Sequence, residues 1–285
     1  MKIRTLSGIC INIANSSSSR LLLFDKPVRV IELTKDESFR VGALLNGGMN
    51  ANGKVVIGTE GQMKNEILAE PDYPEILADV ETEAKRFMEE HHFTGHDFAH
   101  VLRVQKLCKA IGGEENADML VLLASALLHD LGRDHERKNP AIDHAKKSAE
   151  IAKEILCKVG FPEEKIPPTV YAITVHRFSK GVTPSTLEAK ILQDADRIDI
   201  SGAVGIATTF AFGGVHNSKM YDQDDPLAEK RDLDDNSYVL DHFYTKLLNL
   251  PETMHTKTGR EIADRRREFM QHFLEEFKTE IEGSK

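Results

Sequence analysis

The stretch that decides the fold is Ala126-Leu127-Leu128-His129-Asp130-Leu131-Gly132-Arg133-Asp134, which follows on from a segment that is almost entirely apolar from Met119 to Leu128. A helix that is apolar on every side is predicted to be buried. A histidine and an aspartate at the end of a buried helix are costly unless a partner compensates them. A divalent cation would compensate both, because neutral imidazole and carboxylate are ordinary ligands of zinc, manganese and iron. The simpler alternative is a solvent-facing helix end with a capping aspartate.

Two further motifs offer the ligands that such an ion would still need. Neighbouring residues on a helix point about 100° apart, so one ion can be shared only at the helix end, with other helices contributing. His96-Asp97-Phe98-Ala99-His100 opens an earlier predicted helix, and Gln193-Asp194-Ala195-Asp196-Arg197 lies on a much later one. This ordered set resembles the HD-domain metal-dependent phosphohydrolases, and the resemblance runs from about Phe87 to the C terminus.

The resemblance implies a ligand set and a fold. The aspartate at 196 is preferred to Asp194, because the family's fourth ligand follows a small residue, here Ala195. The expected fold class is mainly α, an HD-domain helical bundle over residues 71–285 with a small N-terminal β-rich extension over residues 1–70. Carried over residue by residue, the metal ligands fall on His100, His129, Asp130 and Asp196.

Other polar residues near these motifs are candidates for catalysis. Family members with two metals place extra histidines between the His-Asp pair and the final aspartate, where this chain has His144 and His176. These two are either ligands of a second ion or groups that bind the phosphate and protonate the leaving group. Asp134 matches a carboxylate that some members use to orient or deprotonate the attacking water, a role that Asp130 shares.

Five basic residues are predicted to bind substrate phosphate. Arg133 stands where related enzymes often carry lysine, and a guanidinium presents two parallel donors to a phosphoryl group. Some members have an acidic residue at that position instead, so this chain departs from their pattern. The secondary candidates are Arg103, Arg177, Lys190 and Arg197, and each has pairing with a nearby carboxylate as its alternative. Asp194 and Asp199 are available to pair with Arg197 or to bond ligand histidines.

Composition limits the partners of the protein. The chain has 285 residues and a net charge of −9, and an acidic surface disfavours a long nucleic acid. It remains compatible with a small phosphorylated substrate held by a metal. The three widely spaced cysteines indicate reduced thiols in a cytoplasmic protein, and no apolar run of about 18 residues predicts a membrane span. A homodimer is the default expectation for a soluble protein of this kind.

The first 65 residues are predicted to form several short strands, and no family resemblance is identified for them. β-prone segments lie between turn-forming sequences, and the run from Asn46 to Gly53 has the composition of a hairpin loop. Farther along, Gly112-Gly113 is predicted to stop a helix, 133–141 to be a charged loop, and the acidic stretch 222–236 to be a solvated loop or lid. The predicted strand segments are 10–13, 20–24, 28–33, 39–45 and 54–58.

The favoured function is a phosphohydrolase that acts on a nucleotide or similar small phosphorylated metabolite, as a phosphatase, pyrophosphohydrolase or phosphodiesterase. Its cofactor would be one or two divalent ions among manganese, magnesium, cobalt, nickel, zinc and iron, with manganese favoured. The Gly-Tyr-Pro signature of cyclic-dinucleotide phosphodiesterases is absent after His176, which disfavours that substrate. Two alternatives stay open: a di-iron HD-type oxygenase, and a non-catalytic regulatory protein that binds metal or nucleotide.

Overall fold

The computed structural model describes residues 2–4, 10–12, 19–23, 29–33, 73–90 and 97–283. The chain divides into two compact units, Met1–Glu75 and Ile76–Lys285, and each is described by itself. The predicted limits of 1–70 and 71–285 stay a prediction.

The described residues of the first unit form four short strands in two antiparallel pairs. β1 (Lys2–Arg4) pairs with β2 (Cys10–Asn12), with Lys2 opposite Asn12. β3 (Ser19–Leu23) pairs with β4 (Arg29–Leu33), with Ser19 opposite Leu33. The strands β2 to β4 fall on three of the five predicted segments; segments 39–45 and 54–58 and the predicted hairpin loop at 46–53 lie outside the described residues. A β-rich module over residues 1–70 as a whole therefore stays a prediction.

The second unit is helical in its described residues, as the sequence predicts. Short 3-10 turns connect several of the helices. The α-helices, in chain order, are α1 (Tyr73–Glu90), α2 (Phe98–Glu115), α3 (Met119–Leu128), α4 (Arg133–Lys138), α5 (His144–Lys158), α6 (Ile166–Val175), α7 (Leu187–Asp199), α8 (Gly202–Val215), α9 (Val239–Thr245) and α10 (Lys257–Glu282).

The apolar helix α3 lies at the centre of the bundle. Its Leu122 and Ala126 are fully buried in a core to which α2, α6, α7 and α10 also contribute. A second core, around Phe243 and Met270, joins α9 to α10, with aromatic side chains from α8 packed against it. Because α3 is surrounded, whatever follows Leu128 enters the interior of the bundle. The buried environment predicted for the His-Asp motif is confirmed.

Gly112 and Gly113 do not end their helix, contrary to the prediction. The helix α2 continues to Glu115 and ends at Asn116, whose backbone is left-handed with φ 58°. A Cβ at Gly112 would collide with the side chain of Leu122 on α3. The glycine therefore serves close packing between two helices, which a sequence pattern cannot distinguish from a stop signal.

Two predicted loops are more ordered than expected. The segment 133–141 contains the helix α4 rather than only a charged loop. In the acidic stretch 222–236, the carboxylate of Asp225 accepts hydrogen bonds from three backbone N–H groups, at residues 229, 230 and 231. Arg231 makes two hydrogen bonds to the buried carboxylate of Asp241. These bonds give the stretch a fixed internal structure, and a lid motion stays a prediction.

No single described helix has both the length and the apolar character needed to cross a membrane. One bent pair, α7 with α8 at 64°, meets those criteria jointly by length and composition only.

Candidate metal centre

Five helices bring their ends to one place in the bundle. The N terminus of α2 supplies His100, and the N-cap Asp97 accepts a hydrogen bond from its backbone N–H at 3.0 Å. His129 is the C-cap of α3, and Asp130 follows it in the turn. The other three side chains come from the start of α5, the end of α6 and the last turn of α7: His144, His176 and Asp196.

Asp130 lies at the centre of the cluster, and its two oxygens face different histidines. Its Oδ2 is 3.8 Å from Nε2 of His100 and 3.7 Å from Nε2 of His129. Its Oδ1 is 3.7 Å from Nε2 of His144 and 3.5 Å from Nε2 of His176. The carboxylate thus separates two pairs of imidazoles, and both pairs face it with Nε2.

Asp196 completes the first pair. Its Oδ1 lies 3.4 Å from Nε2 of His100 and 3.8 Å from Nε2 of His129. Asp194 points elsewhere: its carboxylate accepts hydrogen bonds from Arg197 and from the backbone N–H groups of His255 and Thr256. The structure therefore places the aspartate that follows the small residue in the cluster, and uses its neighbour two positions earlier to hold the segment that leads into α10.

Each histidine is anchored through its other ring nitrogen. Nδ1 of His100 bonds Asp199 at 2.8 Å, and Nδ1 of His144 bonds Glu136 at 2.6 Å. Nδ1 of His129 and of His176 bond main-chain carbonyls three residues earlier, at 2.8 and 2.7 Å. Because all four partners are acceptors, the neutral form of each ring carries its proton on Nδ1, and its Nε2 then presents a lone pair to the cluster. This is the tautomer that a metal ligand requires.

The cluster fits a divalent cation. Among the described residues, the buried Nε2 atoms of His129 and His144 have no hydrogen-bond partner, and buried polar atoms are rarely left in that state. Two overlapping groups have ligand atoms close enough to share an ion: His100, His129 and Asp196, and His129, Asp130 and His176. Neutral imidazoles with carboxylates suit zinc, manganese, iron, cobalt and nickel. The residues present therefore suit a metal and leave its identity open.

Burial keeps two of the histidines neutral. It lowers the pKa of His129 to about 4, against the raising effect of the carboxylates of Asp130 and Asp196. Burial, together with the nearby Arg133 guanidinium, also lowers the pKa of His144 to about 4. Both imidazoles are therefore in the unprotonated form that binds metals at neutral pH.

The other two histidines have raised pKa values. Burial lowers the pKa of His100, but hydrogen bonds to Asp196 and Asp199 outweigh it and raise the value to about 10. Burial likewise opposes protonation of His176, yet the hydrogen bond and charge of Asp130 raise its pKa above the usual value. Without a cation the carboxylates retain the proton on His100 and favour protonation of His176, and a bound metal would have to displace such protons.

The turn after Asp130 is held tightly against α5. The backbone N–H of Gly132 donates to the buried hydroxyl of Ser148 at 2.8 Å. A Cβ at Gly132 would lie 2.8 Å from the backbone nitrogen of Ser148 and collide with the carbonyl of His144. Arg133 then returns its Nε to Oδ1 of Asp130 at 2.9 Å. The glycine thus lets the His-Asp turn and the start of α5 approach closely enough to share the site.

The predicted substrate-binding residues differ in what they contact. Arg133 lies at the cluster, where only its Nε is hydrogen-bonded among the described residues and 28% of its side chain is exposed. Arg103 makes two hydrogen bonds to Asp199, at 2.8 and 2.9 Å, and Arg177 bonds Glu136 at 2.6 Å. For these two the carboxylate-pairing alternative is the one the structure shows.

Two further candidates are not brought to the cluster. Both carboxylate oxygens of Asp134 are engaged by exposed cations, Arg137 at 2.6 Å and Lys138 at 2.5 Å. Lys190 lies in the first turn of α7, six residues before Asp196 and so about 9 Å from it along the axis. The catalytic role of Asp134 and the substrate role of Lys190 stay predictions, without a contact that supports them.

Glu136 is the residue that the sequence analysis missed. It lies on α4, three residues after Arg133 and therefore on the same helix face, and reaches both His144 and Arg177. Its only sequence signal is a carboxylate six residues after Asp130, in a segment that was predicted to be only a loop. The contact depends on the helix α4 and could not be read without it.

Comparison with known proteins agrees with this geometry. Residues 97–201 match the model of the HD domain family. The Bacillus subtilis protein YpgQ is 34% identical over 194 residues, which are 67% of this chain and 86% of YpgQ. The crystal structure of YpgQ in complex with ADP superposes with a TM-score of 0.58 at 31% identity, covering 73% of this chain and 96% of that one.

Two solved structures described as HD-superfamily hydrolases are also similar. One from Bacillus thuringiensis has a TM-score of 0.58 at 30% identity and covers 73% of this chain and 97% of its own. One from an uncultured Thermotogales bacterium has a TM-score of 0.50 at 31% identity and covers 74% and 93%. The chain therefore belongs to the HD-domain superfamily, as its ordered histidines and aspartates predict, and its fold is that of the metal-dependent phosphohydrolases in general.

Proposed function

We propose that this protein is a divalent-metal-dependent phosphohydrolase that acts on a nucleotide or a similar small phosphorylated metabolite. The observation that carries the proposal is the convergence of four buried Nε2 atoms on the two oxygens of Asp130, with Asp196 beside the first pair. The ADP complex of YpgQ supports a nucleotide as the substrate class. Manganese is the favoured metal, bound as one ion or two, at His100, His129, Asp130 and Asp196, with His144 and His176 available for the second.

The residues of this chain have separable roles in that reaction. A bound divalent ion lowers the pKa of its water toward about 7 and neutralises phosphoryl charge. Asp130 accepts the proton of the attacking water. Arg133 offers its remaining donors to the phosphoryl oxygens, where fixed positive charge stabilises the transition state. His144 and His176 are available to complete a second ion site. Of the two, His176, whose pKa is raised, is the one suited to protonate the departing oxygen, because His144 is neutral and its proton is held on Nδ1 by Glu136.

The test is a panel of nucleoside mono-, di- and triphosphates and cyclic nucleotides, assayed with manganese, magnesium, cobalt and nickel, alongside metal analysis of the purified protein. We expect metal-dependent release of phosphate or pyrophosphate from one class of nucleotide. Asp130→Ala should lose both metal and turnover, whereas Glu89→Ala, which removes an exposed acid on α1, should lose neither. Full activity in Asp130→Ala would refute the proposed site.

The same six side chains also favour one alternative function, that of an oxygenase. Two pairs of imidazoles around a shared carboxylate also suit two irons, so a di-iron oxygenase would use the same geometry. Oxygen uptake by iron-loaded protein, with a mixed-valent iron signal and no hydrolysis in the nucleotide panel, would identify that activity. Tight nucleotide binding without any turnover would instead indicate a regulatory protein.

A further inference from the structure

Two of the four histidines are held by carboxylates that are in turn held by arginines. Arg103 bonds both oxygens of Asp199, whose Oδ2 also bonds Nδ1 of His100. Arg177 bonds Oε1 of Glu136, whose Oε2 bonds Nδ1 of His144. Both sets of contacts run from arginine to carboxylate to histidine. One ends at His100, in the first pair of imidazoles around Asp130, and the other ends at His144, in the second pair.

The position of each histidine in its helix explains the difference in anchor. His129 and His176 are C-caps, where the last carbonyls of a helix lack intrahelical partners, and each ring uses one of them, that of Ala126 or Ile173. His100 and His144 lie in the first turn of their helices, where the backbone presents unpaired N–H groups instead. An Nδ1–H group in the first turn of a helix has no free backbone carbonyl to donate to. A carboxylate from another segment must therefore accept the hydrogen bond, and the positive end of the helix dipole favours the negative charge of that carboxylate.

We propose that Glu136 is the positioning residue that fixes His144 with its proton on Nδ1 and, through Arg177, ties it to the chain beside His176. It would thereby assemble the half of the centre that faces Oδ1 of Asp130. Glu136 contacts no reacting group; it acts through His144. The inference rests on the proposed function in one respect, that His144 serves the metal or the substrate.

The surroundings of Glu136 fit this role better than that of a surface ion pair. His144 is 1% exposed and has no other Nδ1 acceptor among the described residues, since its second neighbour, Arg177 at 3.5 Å, can only donate. The carboxylate is itself only 23% exposed. Removing it would leave a buried ring free to place its proton on Nε2, where it would block coordination.

The experiment compares three substitutions with a matched control. Glu136→Gln is made together with Arg177→Met, because an amide has one acceptor oxygen and the guanidinium would otherwise take it; this oxygen can then accept from Nδ1. Glu136→Ala removes the acceptor, and Glu136→Met removes it while keeping the side-chain length. Glu150→Ala removes an acid on α5 that is 66% exposed and pairs only with Lys147 in the described residues. The readouts are the imidazole tautomer of His144 in metal-free protein, by long-range ¹H–¹⁵N correlation, and the affinity for manganese by calorimetry.

We expect wild type, Glu136→Gln and Glu150→Ala to keep the Nδ1–H tautomer. Glu136→Ala and Glu136→Met should populate the Nε2–H form and lose about 10–100-fold in metal affinity, the effect usual for such an anchor. Unchanged tautomer and affinity in both acceptor-free variants would overturn the inference, as would Glu136→Gln behaving like Glu136→Met. If Glu136→Ala does not fold, the comparison of Glu136→Gln with Glu136→Met, whose side chains have about the length of glutamate, tests the inference instead. A wild type that hydrolyses nothing would refute the proposed function and leave the tautomer result standing.

Discussion

Replacing Gly132 by alanine tests whether the close approach of the His-Asp turn to α5 builds the site. The added methyl group would meet the backbone nitrogen of Ser148 at 2.8 Å and Cβ of Lys147 at 2.9 Å, and would collide with the carbonyl of His144. Two of these neighbours are backbone atoms inside a helix, so they cannot rotate away. The turn and the helix must therefore separate, by roughly 1 Å, to reach an ordinary carbon contact of about 3.5–4 Å.

The cost has two parts. Overpacking of this kind destabilises by about 1–3 kcal/mol. Separation also stretches the buried hydrogen bond from Gly132 to Ser148, which adds about 1 kcal/mol. We expect the free energy of unfolding to fall by about 2–4 kcal/mol. A misplacement of about 1 Å at a catalytic centre can cost about 10²-fold in rate, so metal affinity and turnover should fall further than stability alone would cause.

The assay is denaturant unfolding of metal-free protein, followed by manganese titration at a temperature where the variant remains folded. Gly113→Ala is the matched control, because that glycine is exposed within α2 and an added Cβ would meet nothing within 4 Å. Alanine in a helix interior should stabilise this control by about 0.5–1 kcal/mol. If Gly132→Ala has the stability and the metal affinity of the wild type, the close contact between the His-Asp turn and α5 is not what holds the turn in place.

Two further predictions follow from the same centre. Asp196→Asn should lose metal with little change in fold. Asp194→Asn should keep the metal stoichiometry but lose about 3 kcal/mol of unfolding free energy, because Asp194 is a buried ion-pair partner of Arg197. Metal analysis and denaturant unfolding distinguish the two variants, and the reverse pattern would contradict the assignment. Because the pKa of His100 is raised to about 10 in the metal-free protein, metal binding at pH 7.5 should release at least one proton. The affinity for the metal should then rise about tenfold per pH unit from pH 6.5 to 8.5. Calorimetry in buffers of different ionisation enthalpy measures the released protons, and the absence of release would refute this prediction.

The parts of this site that are local in sequence could be predicted from the sequence. The helix α3 ends at Leu128 as its apolar run indicates, and the segment from Gln193 to Arg197 lies on a helix, α7, as predicted. The four candidate ligand positions came from the resemblance to the HD-domain family, and Asp196 was preferred to Asp194 because it follows a small residue. Gly112 was misread because the same residue type stops a helix and permits two helices to touch, and only the position of Leu122 decides between them.

The anchors of the histidines could be predicted only in part, because they join segments that are distant in sequence or misassigned. Asp199 was a predicted candidate for a bond to a ligand histidine, but it lies 99 positions from His100, and nothing in either motif specifies which histidine it holds. Glu136 is close to His144 in sequence but needed α4 to place it. Arginines near a phosphohydrolase motif suggest phosphate binding, yet Arg103 and Arg177 compensate carboxylates instead. Residue type indicates which charge is present, and only the fold determines which opposite charge it meets.

The charges around the centre give a reason for the metal to precede the substrate. In the metal-free protein His100 carries a proton, and with it the four carboxylates and three guanidiniums of the centre and its anchors sum to a net charge of zero, which does not attract a phosphate. One divalent cation that displaces this proton brings the net charge to +1, and a second cation to +3, so the same site then attracts an anion. Only Arg133 among the three guanidiniums bonds a cluster carboxylate directly, so a phosphate depends on the metal for most of its neutralisation. The groups counted are Asp130, Asp196, Asp199 and Glu136 against Arg103, Arg133 and Arg177.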